Sequence, residues 1–242
     1  MNIEKKKIYL GDCLEIMPFI ESKSIDMILC DLPYGTTACK WDNVIPFDKL
    51  WENYNRIIKD NGAIVLFGSE PFSSYLRLSN IKNYKYDWVW DKVLPCGHLN
   101  AKKRPMMKKE NILIFGKNIN YYPQGLIYNP RKKSRSSKSP GSDNYGKFGD
   151  VNISEWSGYP TDILKFKREC GLHPTQKPVA LCEYLIKTYT NEEDLVLDNC
   201  MGSGSTLIAC MNTNRNYIGI EKEEKYFNIA NNRIKEAERC KV

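Results

Sequence analysis

LVLDNCMGSGSTLIA, residues 195–209, sets an apolar run, two closely spaced glycines and a helix-forming stretch in immediate succession. The run DLVLDNC (194–200) reads as a buried strand, because a short apolar segment ended by turn residues suits a strand covered on both faces. Gly202 and Gly204 let the backbone approach a ligand closely, and the first amides of the helix behind them favour a carboxylate or phosphate. The next strand, NYIGIE (216–221), ends on Glu221, 19 residues after Gly202. An acid there can accept hydrogen bonds from both ribose hydroxyls of a nucleoside. The order strand, glycines, helix, strand and acid points to a nucleoside-containing cofactor, although the same glycines also suit a tight turn that packs a helix. No Lys-Ser or Lys-Thr pair follows them, which argues against a nucleoside triphosphatase.

Outward from this unit the same alternation recurs. IDMILC (25–30) and AIVLFG (63–68) are short apolar runs, and KLWENYNRIIKDNG (49–62) between them has helical spacing with a Gly stop. DWVWDK (87–92) and NILIFGK (111–117) predict two more strands as antiparallel neighbours, with Trp88 and Trp90 at alternate positions facing the core. PVALCEYLIKTYT (178–190) reads as a helix with Pro178 at its first position, and YFNIANNRIKEAE (226–238) as the closing helix. Strands alternating with helices predict an α/β layered fold around a largely parallel sheet, and no internal repeat is visible.

At 242 residues the chain can form one large domain or two small ones, and it needs no disulfide staples. Nine cysteines with no Cys-x-x-Cys pair suit reduced, packed thiols of an intracellular protein. His98 and His173 leave too few histidines for a metal catalyst, so no metal is expected. MNIEKKKIYLGD has no apolar core of a signal peptide, and no apolar run approaches a membrane span. The expectation is a cytoplasmic protein without membrane contact. The net charge of +7 is unevenly distributed: residues 99–147 hold twelve Lys and Arg against Glu110 and Asp143, a balance of +10, and the rest carries −3. One basic segment on a near-neutral body suits a polyanion, and RKKSRSSKSPGSDNYGK (131–147) also reads as a solvated, disordered loop.

DLPYG (31–35) follows the strand 25–30, and Asp, Pro and Gly would satisfy a plain turn there. Taken with GDCLEIM (11–17), WVWDK (88–92), GHLNAKKRPMMKKENILIFGK (97–117), YPTDILKF (159–166), HPTQKP (173–178) and DNCMGSGST (198–206), in this order, it gives most of the chain a specific character. The set resembles the beta class of S-adenosylmethionine-dependent DNA amino-methyltransferases, in which the catalytic motif precedes the cofactor motif. Two departures stand out: Leu32 occupies the place of a usual first proline, and DNCMGSGST replaces the commoner Asp-Pro-Phe-x-Gly-Ser-Gly. The resemblance implies a Rossmann-like methyltransferase fold with a mostly parallel seven-stranded sheet, one antiparallel strand and a circularly permuted motif order. It also implies S-adenosylmethionine as cofactor.

Carried over residue by residue, the resemblance assigns Asp31 and the Leu32 carbonyl to the amino hydrogens of the target base. Pro33 is part of the same catalytic motif, and Tyr34 stacks on the base once it has left the duplex. Asp198, Gly202, Ser203, Gly204, Ser205 and Thr206 are expected around the methionine end of the cofactor, Glu221 at the ribose and Asp12 near the adenine. Thr175 and Lys177 are expected at the cofactor carboxylate, although a helix-leading cap explains HPTQKP as well. His173 reads as a hydrogen-bonded loop histidine.

The resemblance makes duplex DNA the substrate, and Asp at the first motif position favours adenine over cytosine N(4). Pro95-Cys96 raises carbon-5 methylation of cytosine, which the surrounding motif pattern disfavours. Residues 1–117 and 173–242 are expected to form the catalytic domain, with 118–172 as the inserted target-recognition region. Lys102, Lys103, Arg104, Arg131, Lys132, Lys133, Arg135 and Lys138 are the expected DNA contacts. A silent DNA-binding module and a dinucleotide oxidoreductase are the competing classes. The first leaves Asp31 beside Tyr34 without a use, and the second also leaves the basic segment unexplained. A homodimer and a cognate restriction endonuclease stand as open partners, in a prokaryotic or phage setting.

Overall fold

The computed structural model describes residues 1–35, 43–129, 155–169, 171 and 176–240. In chain order the elements are β1 (Lys7–Leu10), α1 (Cys13–Ile16), β2 (Ile25–Cys30), α2 (Phe47–Ile57), β3 (Ile58–Gly68), α3 (Phe72–Ser79), β4 (Tyr84–Cys96) and β5 (Met107–Phe115). There follow β6 (Ile127–Tyr128), β7 (Trp156–Ser157), β8 (Ile163–Lys165), α4 (Val179–Tyr189), β9 (Leu195–Asp198), α5 (Ser205–Asn212), β10 (Asn216–Glu221) and α6 (Glu224–Arg239).

Among the described residues, eight strands form one sheet in the order β1-β10-β9-β2-β3-β5-β4-β8. Only β5 runs antiparallel to its neighbours. The sheet has one strand more than expected because β8 joins the edge beside β4. Its three residues, ILK, are too short and too polar for an apolar-run test to find.

Strict alternation along the strands builds two cores. Ile28, Cys30, Ile64, Leu66, Leu113 and Phe115 face α1, α2 and α3. Met27, Leu29, Val65, Phe67, Ile112 and Ile114 face the other side, against α4, α5 and α6. Each such aliphatic side chain contributes roughly 1.5–3 kcal/mol by leaving water. Truncating fully buried Ile28 to Ala costs about 2–5 kcal/mol. Trp88 and Trp90 are core residues, as their alternation predicts, and their indoles donate to Tyr189 Oη at 2.7 Å and to the Phe166 carbonyl at 2.8 Å.

Two element ends differ from the sequence expectation. Helix α2 stops at Ile57 rather than at Gly62, because Ile58 already pairs with Ile25 in the sheet. Gly62 instead lets β3 pass close to β2, since a Cβ there would lie 2.8 Å from the Asp26 carbonyl. Pro178 is the cap of α4 and not its first residue, and the Val179 amide behind it donates to Glu169 Oε1 at 3.0 Å.

The chain divides into a unit of Met1–Tyr122 with Asp162–Val242 and a unit of Pro123–Thr161. The second unit is shorter than the insert expected at 118–172. The Tyr122 amide donates to the Thr188 carbonyl at 2.8 Å, and β8 belongs to the large sheet. Within the second unit, β6 and β7 form an antiparallel ribbon on which Tyr128 and Trp156 pack with ring centroids 4.9 Å apart.

The chain runs outward from β2 to β3 in one direction and from β9 to β10 in the other. The β9–β2 boundary is therefore a switch point, where open α/β sheets leave a crevice at the carboxyl ends of their strands.

Candidate active site

Asp12, Glu221, Asp198 and Asp31 stand at or just beyond the carboxyl ends of β1, β10, β9 and β2, four adjacent strands. All four line one cavity of about 340 Å³. The loop after β2 adds Leu32, Pro33 and Tyr34, the turn into α5 adds Gly202, Ser203, Ser205 and Thr206, and Lys177 reaches in ahead of α4. The expected candidates from three distant stretches thus meet at one sheet edge, because parallel strands bring their ends there together.

On one side the cavity is acidic and backbone-rich. Glu221 accepts the amides of Gly202 and Glu223, each at 2.8 Å. Burial nevertheless raises its proton affinity above the ordinary carboxylate range. Asp198 is buried and accepts the Cys200 amide at 3.2 Å. No ion pair among the described residues reaches it, and burial pushes its pKa up to about 7. A cationic ligand group would compensate such a carboxylate. Asp12 caps α1 through the Leu14 amide at 2.9 Å and pairs with Lys222 at 3.0 Å. Burial would raise it, but these partners together hold it below its ordinary value.

The other side is a closed charge network. Asp31 Oδ2 pairs with Lys177 Nζ at 2.5 Å, and the same ammonium reaches Glu110 Oε1 at 3.0 Å. Lys92 holds Glu110 Oε2 at 2.6 Å. The Tyr34 hydroxyl lies 2.7 Å from Asp31 Oδ1 and 2.9 Å from Glu110 Oε1. Its ring stacks on Phe72, with centroids 4.9 Å apart and planes at 24°. Burial raises the proton affinity of Asp31 even against Lys177. At Glu110 burial is outweighed by Lys177 and Lys92, so its proton affinity is lowered.

Lys177, expected at a cofactor carboxylate, has its ammonium on Asp31 and Glu110, although the side chain also lines the cavity. Gly204 does not line the cavity. It holds φ +79° beneath α6, where a Cβ would meet Ala230 Cβ at 3.1 Å. Lys102, Lys103 and Arg104 are exposed in the loop between β4 and β5. Thr175, His173, Arg131, Lys132, Lys133, Arg135 and Lys138 lie outside the described residues.

Sequence reasoning missed Glu110, Lys92 and Phe72. Glu110 left a signal, as the lone acid in a basic run immediately ahead of an apolar strand. Phe72 left none, since its stack with Tyr34 exists only in the fold.

The chain is 27% identical over 255 residues to the type II methyltransferase M2.MboI of Moraxella bovis, covering 95% of this chain and 87% of that protein. It is 28% identical over 254 residues to M1.MboII of Moraxella bovis, covering 95% and 96%. Among solved structures, the M1.HpyAVI–SAM complex aligns with a TM-score of 0.63 and 28% identity, over 94% of this chain and 98% of that one. Residues 25–232 match the family described as DNA methylase, spanning both sides of the cavity. The chain therefore belongs to the DNA methylase family.

Proposed function

We propose that this chain is a site-specific methyltransferase that moves a methyl group from S-adenosylmethionine to the exocyclic amino group of adenine in duplex DNA. One observation carries the proposal: Asp31, beside Tyr34, and the Gly202 turn, bonded to Glu221, open onto the same cavity.

The residues present fit such a cofactor. Asp198, buried without a cationic partner among the described residues, suits an amino-acid ammonium. Glu221 lines the cavity and keeps acceptor capacity for a ribose hydroxyl beside the backbone amides it holds. The Ser203, Ser205 and Thr206 stretch brings backbone amides and hydroxyls to the opening of α5, and Asp12 borders the far side. S-adenosylmethionine supplies an electrophilic methyl group on a sulfonium.

The amino group of a base is a poor nucleophile, because its lone pair is delocalised into the ring. The Asp31 carboxylate and the Leu32 carbonyl accept its two hydrogens, aim the lone pair and favour a more tetrahedral nitrogen. Pro33 restricts the loop that carries both groups. Tyr34, backed by Phe72, offers an aromatic face that offsets part of the few kcal/mol spent on unstacking the base. Positioning is the main catalytic effect. Asp31 needs no strong basicity, since the nitrogen becomes acidic only as its new bond forms.

Asp at the first position of the motif supports adenine. The surplus of Lys and Arg between residues 99 and 147 supports a DNA partner, and residues 118–172, which contain the second unit, are the proposed reader of the target sequence. The test is incubation of the purified protein with duplex DNA and S-adenosylmethionine, followed by mass spectrometry of the nucleosides and modified-base sequencing in a methylation-deficient host. N(6)-methyladenine at one sequence is expected, and its loss in D31A. N(4)-methylcytosine would move the assignment to the other base, and unmodified DNA would end it.

A further inference from the structure

Lys177 occupies an unusual position for a buried cation. Its ammonium bridges two carboxylates, one just past β2 and one within β5, 2.5 Å from Asp31 Oδ2 and 3.0 Å from Glu110 Oε1. An ammonium donating to Asp31 makes the contact that an amino group of a base would make there. Both are N–H donors to one carboxylate whose Oδ1 already lies 2.7 Å from the Tyr34 hydroxyl, so they compete for the acceptor sites that remain.

We propose that Lys177 is a placeholder for the target amine. Awaiting DNA, it engages Oδ2 of the carboxylate proposed to hold an amino hydrogen, and Glu110 is the acceptor onto which it is displaced as the base enters. The inference rests on the proposed amine-holding role of Asp31.

The geometry makes the exchange inexpensive. A buried ammonium stripped of its only counter-ion would be strongly penalised, but Lys177 already has a second one in place. Lys92 at 2.6 Å from Glu110 Oε2 fixes that carboxylate from the opposite side, leaving Oε1 directed at Lys177. Tyr34 monitors both acids: its single hydroxyl hydrogen serves only one, although its oxygen lies within 2.7 Å of Asp31 Oδ1 and 2.9 Å of Glu110 Oε1. When the network takes up a proton, it goes to Asp31, whose proton affinity burial raises, while Lys177 and Lys92 lower that of Glu110. Lys177 and Glu110 are thus positioning residues that determine when Asp31 is available and at what pH.

The groups facing Asp31 are Lys177 ahead of α4, Glu110 of β5 with Lys92 of β4 behind it, and Tyr34 of its own loop. Among the described residues, Asp198 at the end of β9 and the thiols of Cys30 and Cys182 complete the set.

Substitution of this network under steady-state DNA methylation tests the proposal. In E110Q the ammonium has Asp31 as its only charged acceptor in the pair, so kcat/KM for DNA should fall at least tenfold, with S-adenosylmethionine affinity by calorimetry within about twofold. E110D should recover part of the loss, and E110Q/K177M should be more active than E110Q, because the competitor is gone. K177M alone leaves Asp31 facing Glu110 without its nearest cation, so the acid limb of its pH–rate profile should move to higher pH. Wild-type turnover by E110Q, or a double variant no better than E110Q, overturns the placeholder. Should circular dichroism show E110Q unfolded, the K177M profile decides, and an unmoved acid limb overturns the proposal. D31A separates the two levels: if it methylates DNA normally, the parent assignment of Asp31 fails. If it is inactive and the Lys177 and Glu110 variants behave like wild type, only the placeholder fails.

Discussion

Glu221 Oε2 accepts the amide of Gly202 at 2.8 Å, so the acid ending β10 and the turn after β9 form one hydrogen-bonded unit. The acid both shapes the turn and faces the cavity. Glu221→Ala should weaken S-adenosylmethionine binding about 10- to 100-fold, the equivalent of losing charge-assisted hydrogen bonds of roughly 1.5–3 kcal/mol. Glu221→Gln, which keeps an acceptor for Gly202, should lose less. Calorimetry reads both, and undiminished affinity in the alanine variant would remove Glu221 from the site.

Asp198 couples the site to pH. An unfolded Asp ionises near the ordinary value of 3.8, whereas buried Asp198 holds its proton up to about 7. The stability this gives is fully present below pH 3.8 and is lost as pH rises through about 7. Asp198→Asn, which never ionises, should therefore gain on the wild type between about pH 4 and 8, by roughly 2–4 kcal/mol. Urea midpoints at the two ends of this range measure it. A difference independent of pH would mean that Asp198 is not held protonated by burial.

Gly204 tests whether both glycines of the turn serve the ligand. Its φ of +79° and the 3.1 Å approach of Ala230 Cβ make Gly204→Ala strained and crowded, and a loss of about 1–3 kcal/mol is expected. Cofactor affinity of the folded fraction should stay within a few-fold. A large affinity loss without destabilisation would return Gly204 to the ligand.

Lys102, Lys103 and Arg104 are exposed. Replacing all three by Gln should weaken DNA binding and reduce the slope of log K against log salt by about 2–3. The slope is measured by titrating DNA at several salt concentrations, and an unchanged value would place this loop away from the duplex.

Much of the site was legible because its parts are local. Strand, glycine turn and acid lie within residues 195–221, and DLPYG follows directly on its strand. The length of α2 was misread because pairing of Ile58 with Ile25 overrides a helical pattern that runs on to Gly62. Strand β8 was missed because it is stabilised by its place beside β4 rather than by an apolar sequence. Gly204 was assigned to the ligand because a glycine needed for helix packing and one needed for ligand approach look alike until the neighbour at 3.1 Å is known.

By itself the sequence determined the α/β alternation and which acids end which strands, since these follow from periodicity and turn chemistry over a few residues. Only the tertiary structure decided what those acids touch. Asp31 and Lys177 are 146 residues apart in the chain, and Glu110 comes from a third place in it, strand β5. Their contact depends on strand order and on burial, which fix both the partner and the proton affinity of each carboxylate, and neither is encoded in any local stretch.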